Sequence, residues 1–377
     1  MEAGSVAVSE AKPSILQFGV GRFLLGHVDA LISDSLAWGE SEQRIMAVQG
    51  SPRPEGREKA RQLMAQPHYP LHIRGRQAGR EIDECQRIKS VAGCLIADEQ
   101  WPELERLFVE ATTHVVSNTA DRGFEIPEGD SPLHDLPASF PCRLIRLLHT
   151  RYLAGGAGVT LLPCELIPQN GRVLQALMRS LATRFYADPA FERWLDERCL
   201  WVDTLVDRIV SAPLEPIGAV AEPYALWAIR QVPGLEMPCR HPAIRVVDDL
   251  TPFEQQKLHI LNLSHSWLVD QWRTQALEGE VTFVREAMAD PRLRGSLEAL
   301  LDEEVLPVLQ AASPELDHVA YRAQAFERFE NPFLDHRLAD IAANHEEKLK
   351  RRLSPLLALA DTHGLAVPKL RAGLAGR

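Results

Sequence analysis

Apolar positions along this chain follow two rhythms in succession. Residues 14–18, 44–48, 114–119 and 158–164 are short apolar or β-branched runs closed by polar or turn residues, a pattern that predicts buried strands. Helical spacing separates them, in residues 28–32, 101–111 and 141–152, and the alternation predicts a largely parallel, doubly wound sheet. Residues 69–82, with Gly75 and Gly79, read as a hairpin inserted between these units. From Thr251 onward only helical periodicity remains, over residues 281–288, 297–309, 317–329, 331–344 and 346–362. The stretch 213–239, rich in prolines and glycines, is the ordered approach to a junction. The expected architecture is α/β: a doubly wound sheet domain over residues 1–240, then an all-α domain over residues 241–377.

The first predicted strand runs directly into Gly19-Val-Gly21-Arg22-Phe23 and then a helix, the order that a dinucleotide site needs. Gly19 permits a tight turn, and Gly21 lets backbone approach a pyrophosphate seated at the helix N-terminus. Leu24 stands where the third glycine of the usual pattern falls. The first domain is thus read as a Rossmann-like, dinucleotide-binding domain, with Gly19, Gly21, Arg22 and Phe23 at the cofactor. The next strand ends in Gln49-Gly-Ser-Pro-Arg53, where the adenosine ribose should lie. No carboxylate stands in that loop to take a ribose 2′-hydroxyl, and Arg53 leaves NADP open beside NAD. Asn118, Thr119 and Glu165 close later strands and are expected near the cofactor's reactive end.

Residues 251–267 carry the other candidate chemistry. Thr251 and Glu254 have the spacing of a capping box, and Pro252 sits where a first-turn proline costs no hydrogen bond. At α-helical spacing His265 lies about 80° from Lys257 and Asn262 about 140° from it, so the three share one side of the helix. A lysine among leucines and isoleucines must be paired or lose its proton when buried, which makes it a tunable base. The amide and the imidazole are hydrogen-bonding partners for the group it acts on.

Composition narrows the function classes. The chain has 377 residues, 45% of them hydrophobic and 25% charged, and its net charge of −11 argues against a nucleic-acid surface. Residues 1–12 are polar and lack the apolar core of a signal peptide, and no run approaches a spanning helix, so the expected partners exclude membrane and the expected location is cytoplasmic. Cys85, Cys94, Cys142, Cys164, Cys199 and Cys239 are scattered, without a Cys-x-x-Cys pair, and fit reduced thiols. No metal is expected: His259 and His265 lie on different helix faces, and no His-Glu-x-x-His motif occurs. Ser264 and Ser266 flank His265 without the strand-turn-helix elbow of a serine nucleophile.

Five segments in order carry a resemblance: Gln17-Phe-Gly-Val-Gly-Arg-Phe-Leu24, Val116-Ser-Asn-Thr119, Pro163-Cys-Glu-Leu-Ile-Pro-Gln-Asn-Gly171, Thr204-Leu-Val-Asp-Arg-Ile-Val210, and Lys257-x4-Asn262-x2-His265. Together they resemble the polyol-specific long-chain dehydrogenases, the mannitol dehydrogenase family. Cys164-Glu-Leu-Ile167, Val247-Asp-Asp-Leu-Thr-Pro252 and Arg328-Phe-Glu-Asn-Pro-Phe-Leu-Asp-His336 are most similar to its tagaturonate reductase (altronate oxidoreductase) branch. The resemblance implies an NAD(P)-dependent oxidoreductase that interconverts a polyol or aldonic acid and its keto form. It implies Lys257 as general acid/base, Asn262 and His265 as the groups orienting the reacting oxygen, and Asp207 in proton movement. Arg328 and His336 match substrate-contacting positions. Leu166 departs from the asparagine of mannitol dehydrogenases and argues against mannitol itself. The expected partner is a small polyol or sugar acid, and the expected state a monomer or weak oligomer. The competing reading is a non-catalytic dinucleotide- or sugar-acid-binding protein.

Overall fold

The computed structural model describes residues 13–119 and 122–375. The chain divides into two compact units. One comprises the residues up to 72 with 85–221 and 225–248; the other comprises 73–84, 222–224 and the residues from 249 on.

Strands in the first part of the chain are β1 Ile15–Phe18, β2 Ile45–Gln49, β3 Tyr69–Gln77, β4 Arg80–Ile88, β5 Val91–Ile96, β6 His114–Ser117, β7 Thr160–Pro163 and β8 Leu200–Trp201. Among the described residues, six of these form a parallel sheet in the order β5-β2-β1-β6-β7-β8. Every residue of β1, β6 and β7 is buried, which is why they read as unbroken apolar runs and not as an alternation. Ile15 pairs with Ile45 on one side and His114 on the other, so the strand order reverses across β1. Ligands of such sheets bind beyond the carboxyl ends of the strands at that reversal. The helix Trp101–Glu110 turns Trp101, Leu104, Leu107 and Phe108 into the core, where they join Leu16, Phe18, Val115 and Leu161. The parallel sheet and the β3–β4 hairpin, with positive φ at Ala78 and Gly79, match the expectation from the apolar pattern.

The stretch from 200 to 247 carries more strand than its sequence suggests: β8, then β9 Thr204–Asp207, β10 Val210–Pro213, β11 Ala219–Ala221, β12 Leu226–Arg230 and β13 Ile244–Val247. Strands of two to five residues broken by Pro213, Pro216 and Pro223 are too short to display a period of two. β12 pairs antiparallel with β9, placing Leu226 opposite Asp207, and parallel with β13.

The second unit is helical from residue 251. One continuous rod runs through Thr251–Gln256, a π-helical turn Lys257–Asn262, and Leu263–Thr274. Asp317 accepts a hydrogen bond from the Ala320 N–H and caps the helix His318–Phe329; the helix His345–Thr362 follows later. Their apolar faces meet in a core that includes Leu268, Trp272, Leu297, Leu300, Tyr321 and Leu353.

Three local expectations change. The N-terminus at Thr251 is held by Asp249, whose Oδ1 accepts from the Thr251 N–H at 2.9 Å and from Oγ1 at 2.8 Å, in place of a capping box. Residues 331–344 form only the short helix Leu338–Ile341, because the Asn331 carboxamide accepts from Phe333 N–H and Arg337 bridges to Phe283. A final helix, Pro368–Ala375, was not anticipated. Among the described residues no helix is long and apolar enough to cross a membrane.

Candidate active site

In the sheet unit, a cavity of about 720 Å³ lies at the carboxyl ends of β1, β2 and β6. Gly19, Gly21, Asn118 and Thr119 of the predicted cofactor set line it. Gly19 has φ +124°, and a Cβ there would stand 2.8 Å from the Asn118 carbonyl oxygen, so only glycine fits between the ends of β1 and β6. Gly21 differs. Its φ is −72° and a Cβ would meet nothing within 4 Å, so no atom of the protein demands glycine there. The close helix packing expected of the third glycine falls to Gly26 instead, where a Cβ would press within 3.0 Å of Val210. The helix that begins at Arg22 ends at Gly26, before the break at His27.

Glu165 does not line the cavity. It is buried behind it, accepting from Ser117 Oγ at 3.0 Å, Thr119 N–H at 3.0 Å and Thr119 Oγ1 at 2.9 Å. Burial pushes its carboxyl up, and the hydrogen bonds from Thr119 and Ser117 pull against that shift. Glu165 therefore fixes Thr119, while Asn118 is anchored by donating to the Cys164 carbonyl at 2.7 Å. Asn170 ties the same region together, donating to the Pro163, Glu165 and Thr204 carbonyls. Arg22 and Phe23 also lie outside the lining: Arg22 donates to the Ser211 carbonyl, and Phe23 stacks on His27 with ring centroids 5.0 Å apart.

The predicted ribose loop does line the cavity, through Gln49, Gly50, Ser51 and Arg53. Residues missed from sequence join it. Glu55, Gly56 and Lys59 come from the helix Pro54–Ala65, and Arg143, from the helix Phe140–Leu153, donates to the Gly50 carbonyl. Glu55 supplies the carboxylate absent from the 49–53 loop. Nothing in the sequence pattern marks it, since it lies beyond the strand end, in the first turn of a helix where a glutamate is ordinary. Arg122 faces the cavity as well but is paired with Glu125.

In the helical unit, Lys257 opens the π turn and Asn262 closes it. The Leu263 N–H donates to the Leu258 carbonyl, an i→i+5 bond. Such bonding narrows the angle between Asn262 and Lys257, which regular α spacing leaves at about 140°. His265 follows three residues later, on the same face as Asn262. Both Lys257 and Asn262 are half-buried, and His265 is buried with its ring 4.6 Å from Phe329 and 5.0 Å from His336. Burial pushes the His336 imidazole down, with Asp340 pulling the other way. Arg328 precedes Phe329, and its guanidinium is engaged by Glu222 and lies 4.5 Å over the Tyr224 ring. Asp207, in the sheet unit, is buried at the end of β9. Among the described residues no group of three or more metal-ligating side chains is assembled.

A glycine-built cavity at the strand reversal, lined by arginines and a lysine, is of the size and polarity that a dinucleotide takes. The lysine, amide and imidazole on one helix face are able to exchange a proton with a hydroxyl and steady the oxygen.

Residues 13–238 match the mannitol dehydrogenase Rossmann domain, and residues 249–377 match the mannitol dehydrogenase C-terminal domain. The altronate oxidoreductase of Halalkalibacterium halodurans is 31% identical over 369 residues, covering 92% of this chain and 70% of that one. D-sorbitol dehydrogenase in its substrate-free form shares the fold, with a TM-score of 0.83 at 21% identity over 97% of this chain and 79% of that chain. The Pseudomonas fluorescens mannitol 2-dehydrogenase, in a ternary complex with NAD and D-mannitol, has a TM-score of 0.73 at 22% identity, covering 97% and 78%.

Proposed function

As the chain belongs to the mannitol dehydrogenase family and is thus an oxidoreductase, we propose that it interconverts an aldonic acid and its keto form, altronate and tagaturonate, with NAD(H). The nucleotide would be held in the domain of residues 1–240, by Gly19, Gly21, Asn118 and Thr119 at the strand ends and by Ser51, Arg53 and Glu55 around the ribose. Glu55 favours NAD, since a carboxylate pairs with a ribose hydroxyl and repels a 2′-phosphate. The C-terminal domain, residues 241–377, supplies the acid/base group.

When bound, the nicotinamide would supply the hydride chemistry, as acceptor in oxidation and donor in reduction. The Lys257 amine takes the hydroxyl proton as the carbon–hydrogen bond breaks, and returns it in reduction. Asn262 donates from its carboxamide to the same oxygen as negative charge develops, and His265 donates from its ring N–H. Asp207 would take part in proton movement, the role that the family resemblance implies for it. His336, with its ring 5.0 Å from His265, would orient the substrate; Arg328, the other residue expected at the substrate, is committed to Glu222 and would act from behind it. The observation that supports this reading is the π turn that runs from Lys257 to Asn262, with His265 one turn further on.

The test is a panel of hexonates, hexuronates and hexitols assayed with NAD(H) and NADP(H), followed at the nicotinamide absorbance. Fastest turnover is expected for altronate with NAD and tagaturonate with NADH. Turnover confined to hexitols would replace the substrate assignment, and cofactor binding without turnover on any of them would favour a sensor. The oxidoreductase relatives lend that second reading no support. The working unit is proposed to be one chain, or a weak oligomer, in the cytoplasm.

A further inference from the structure

Among the described residues the helical unit contains two π turns, and they have different causes. In Leu301–Val305 the Leu306 N–H donates to the Leu301 carbonyl, and Pro307 follows in the next helix. Proline has no N–H and its ring crowds the carbonyl four residues back, so the ladder must widen ahead of it. No proline or glycine lies between Phe253 and Thr274. The Lys257–Asn262 turn is therefore held open from outside its own helix.

The contacts identify what holds it. Widening leaves carbonyls without their ordinary donors. The Ile260 carbonyl accepts from the Leu263 N–H and from Ser264 Oγ. The Asn262 carbonyl accepts from Arg352 Nη1 at 2.6 Å, and the same nitrogen donates to Ser266 Oγ at 2.6 Å. From the other direction, His259 Nδ1–H donates to the Arg352 backbone carbonyl at 3.0 Å. One residue of the helix His345–Thr362 thus grips the widened turn twice, by its side chain at the closing residue and by its backbone near the opening one. Arg352 is buried, where a guanidinium costs free energy unless its hydrogen bonds are made.

We propose that Arg352 is a positioning residue for the reaction: through its grip on Asn262 and Ser266, with His259 as second tether, it keeps the turn π-helical and so keeps the angle between Asn262 and Lys257 narrow. The inference rests on the acid/base reading of Lys257 given above. Relaxation to an α turn would rotate Asn262 away from the lysine while leaving the fold intact, and a misplacement of that kind costs on the order of a hundredfold in rate.

Arg352→Met, Arg352→Lys and Lys257→Ala are compared in the full-length chain. For Arg352→Met the expectation is a kcat lowered on the order of a hundredfold, a KM for NAD within about twofold of wild type, and a displaced pH–rate profile. Its crystal structure should show the 257–262 segment in i→i+4 register. Arg352→Lys retains a donor and should recover part of the rate. Should Arg352→Met fail to fold, the lysine variant and an Arg352→Ala variant assayed with millimolar guanidinium chloride decide the matter, rescue of kcat being the supporting result. A folded Arg352→Met variant that keeps the π turn, or that loses only thermal stability while kcat and the pH profile stay unchanged, overturns the proposal. Wild-type turnover in Lys257→Ala would instead bring down the acid/base reading itself, so the two failures are distinguishable.

Discussion

Arg328 meets Glu222 as a fork on a fork, Nε to Oε2 at 3.0 Å and Nη2 to Oε1 at 2.8 Å, with the two side chains only 3% and 2% exposed. Ion pairs this deep lose more from the removal of one partner than from the removal of both. Glu222→Leu should lower stability by about 3–5 kcal/mol, and Glu222→Leu/Arg328→Met should recover much of that loss. Urea unfolding of the two variants and of Arg328→Met completes the cycle. Equal losses for the single and double variants would show that the pair is not the stabilising unit.

Lys257→Ala should reduce turnover on the order of a hundred- to ten-thousandfold, the range of a lost acid/base group, while the dinucleotide dissociation constant stays within a factor of two or so. Fluorescence titration with NADH and steady-state kinetics separate the two effects.

Gly19 and Gly21 should respond differently to alanine. Gly19→Ala forces a side chain into positive φ and against the Asn118 carbonyl, so the melting temperature and dinucleotide binding should both fall. Gly21→Ala meets no protein atom and should leave melting unchanged while weakening the dinucleotide about tenfold or more. Thermal melts with and without NAD read both.

Asp29 predicts a pH dependence of stability. Burial pushes its carboxyl up from 3.8 to about 7, with hydrogen bonds involving Tyr69 and Gln17 acting in the opposite sense. The Tyr69 hydroxyl lies 2.7 Å from Asp29 Oδ2 and 3.1 Å from the Leu25 carbonyl. The folded state thus holds a proton that the unfolded chain releases from about pH 4 upward. This stabilising contribution is whole below about pH 4 and is lost as the pH rises through about 7, at no more than about 1.4 kcal/mol per pH unit. Asp29→Asn should remove that slope, and urea midpoints of both proteins between pH 4.5 and 7.5 would reveal it.

Much of the scaffold was legible because its strands are buried on both sides and its helices amphipathic, as at β1 and Trp101–Glu110. The β9–β13 strands were not, being too short and too interrupted to show a period. At the candidate site the identities of Gly19, Asn118, Lys257, Asn262 and His265 could be read, yet their geometry could not. A π turn leaves no mark in hydrophobic spacing, so α-helical arithmetic separates Lys257 from Asn262 by an angle that the backbone does not keep. Partners distant along the chain were equally hidden: Glu222 lies 106 residues from Arg328, Arg143 93 residues from Gly50, and Arg352 90 residues from Asn262.

The helical unit is discontinuous, drawing residues 73–84 and 222–224 from the earlier part of the chain. A fragment excised from residue 249 onward would leave behind Glu222, stranding Arg328 without its carboxylate, and would also lose the Ala78 and Gly79 amides that donate to Glu327. Grafting this half onto another nucleotide domain to change specificity must therefore carry three pieces, and a chimaera joined at a single seam inherits a buried cation that has lost its Glu222 carboxylate.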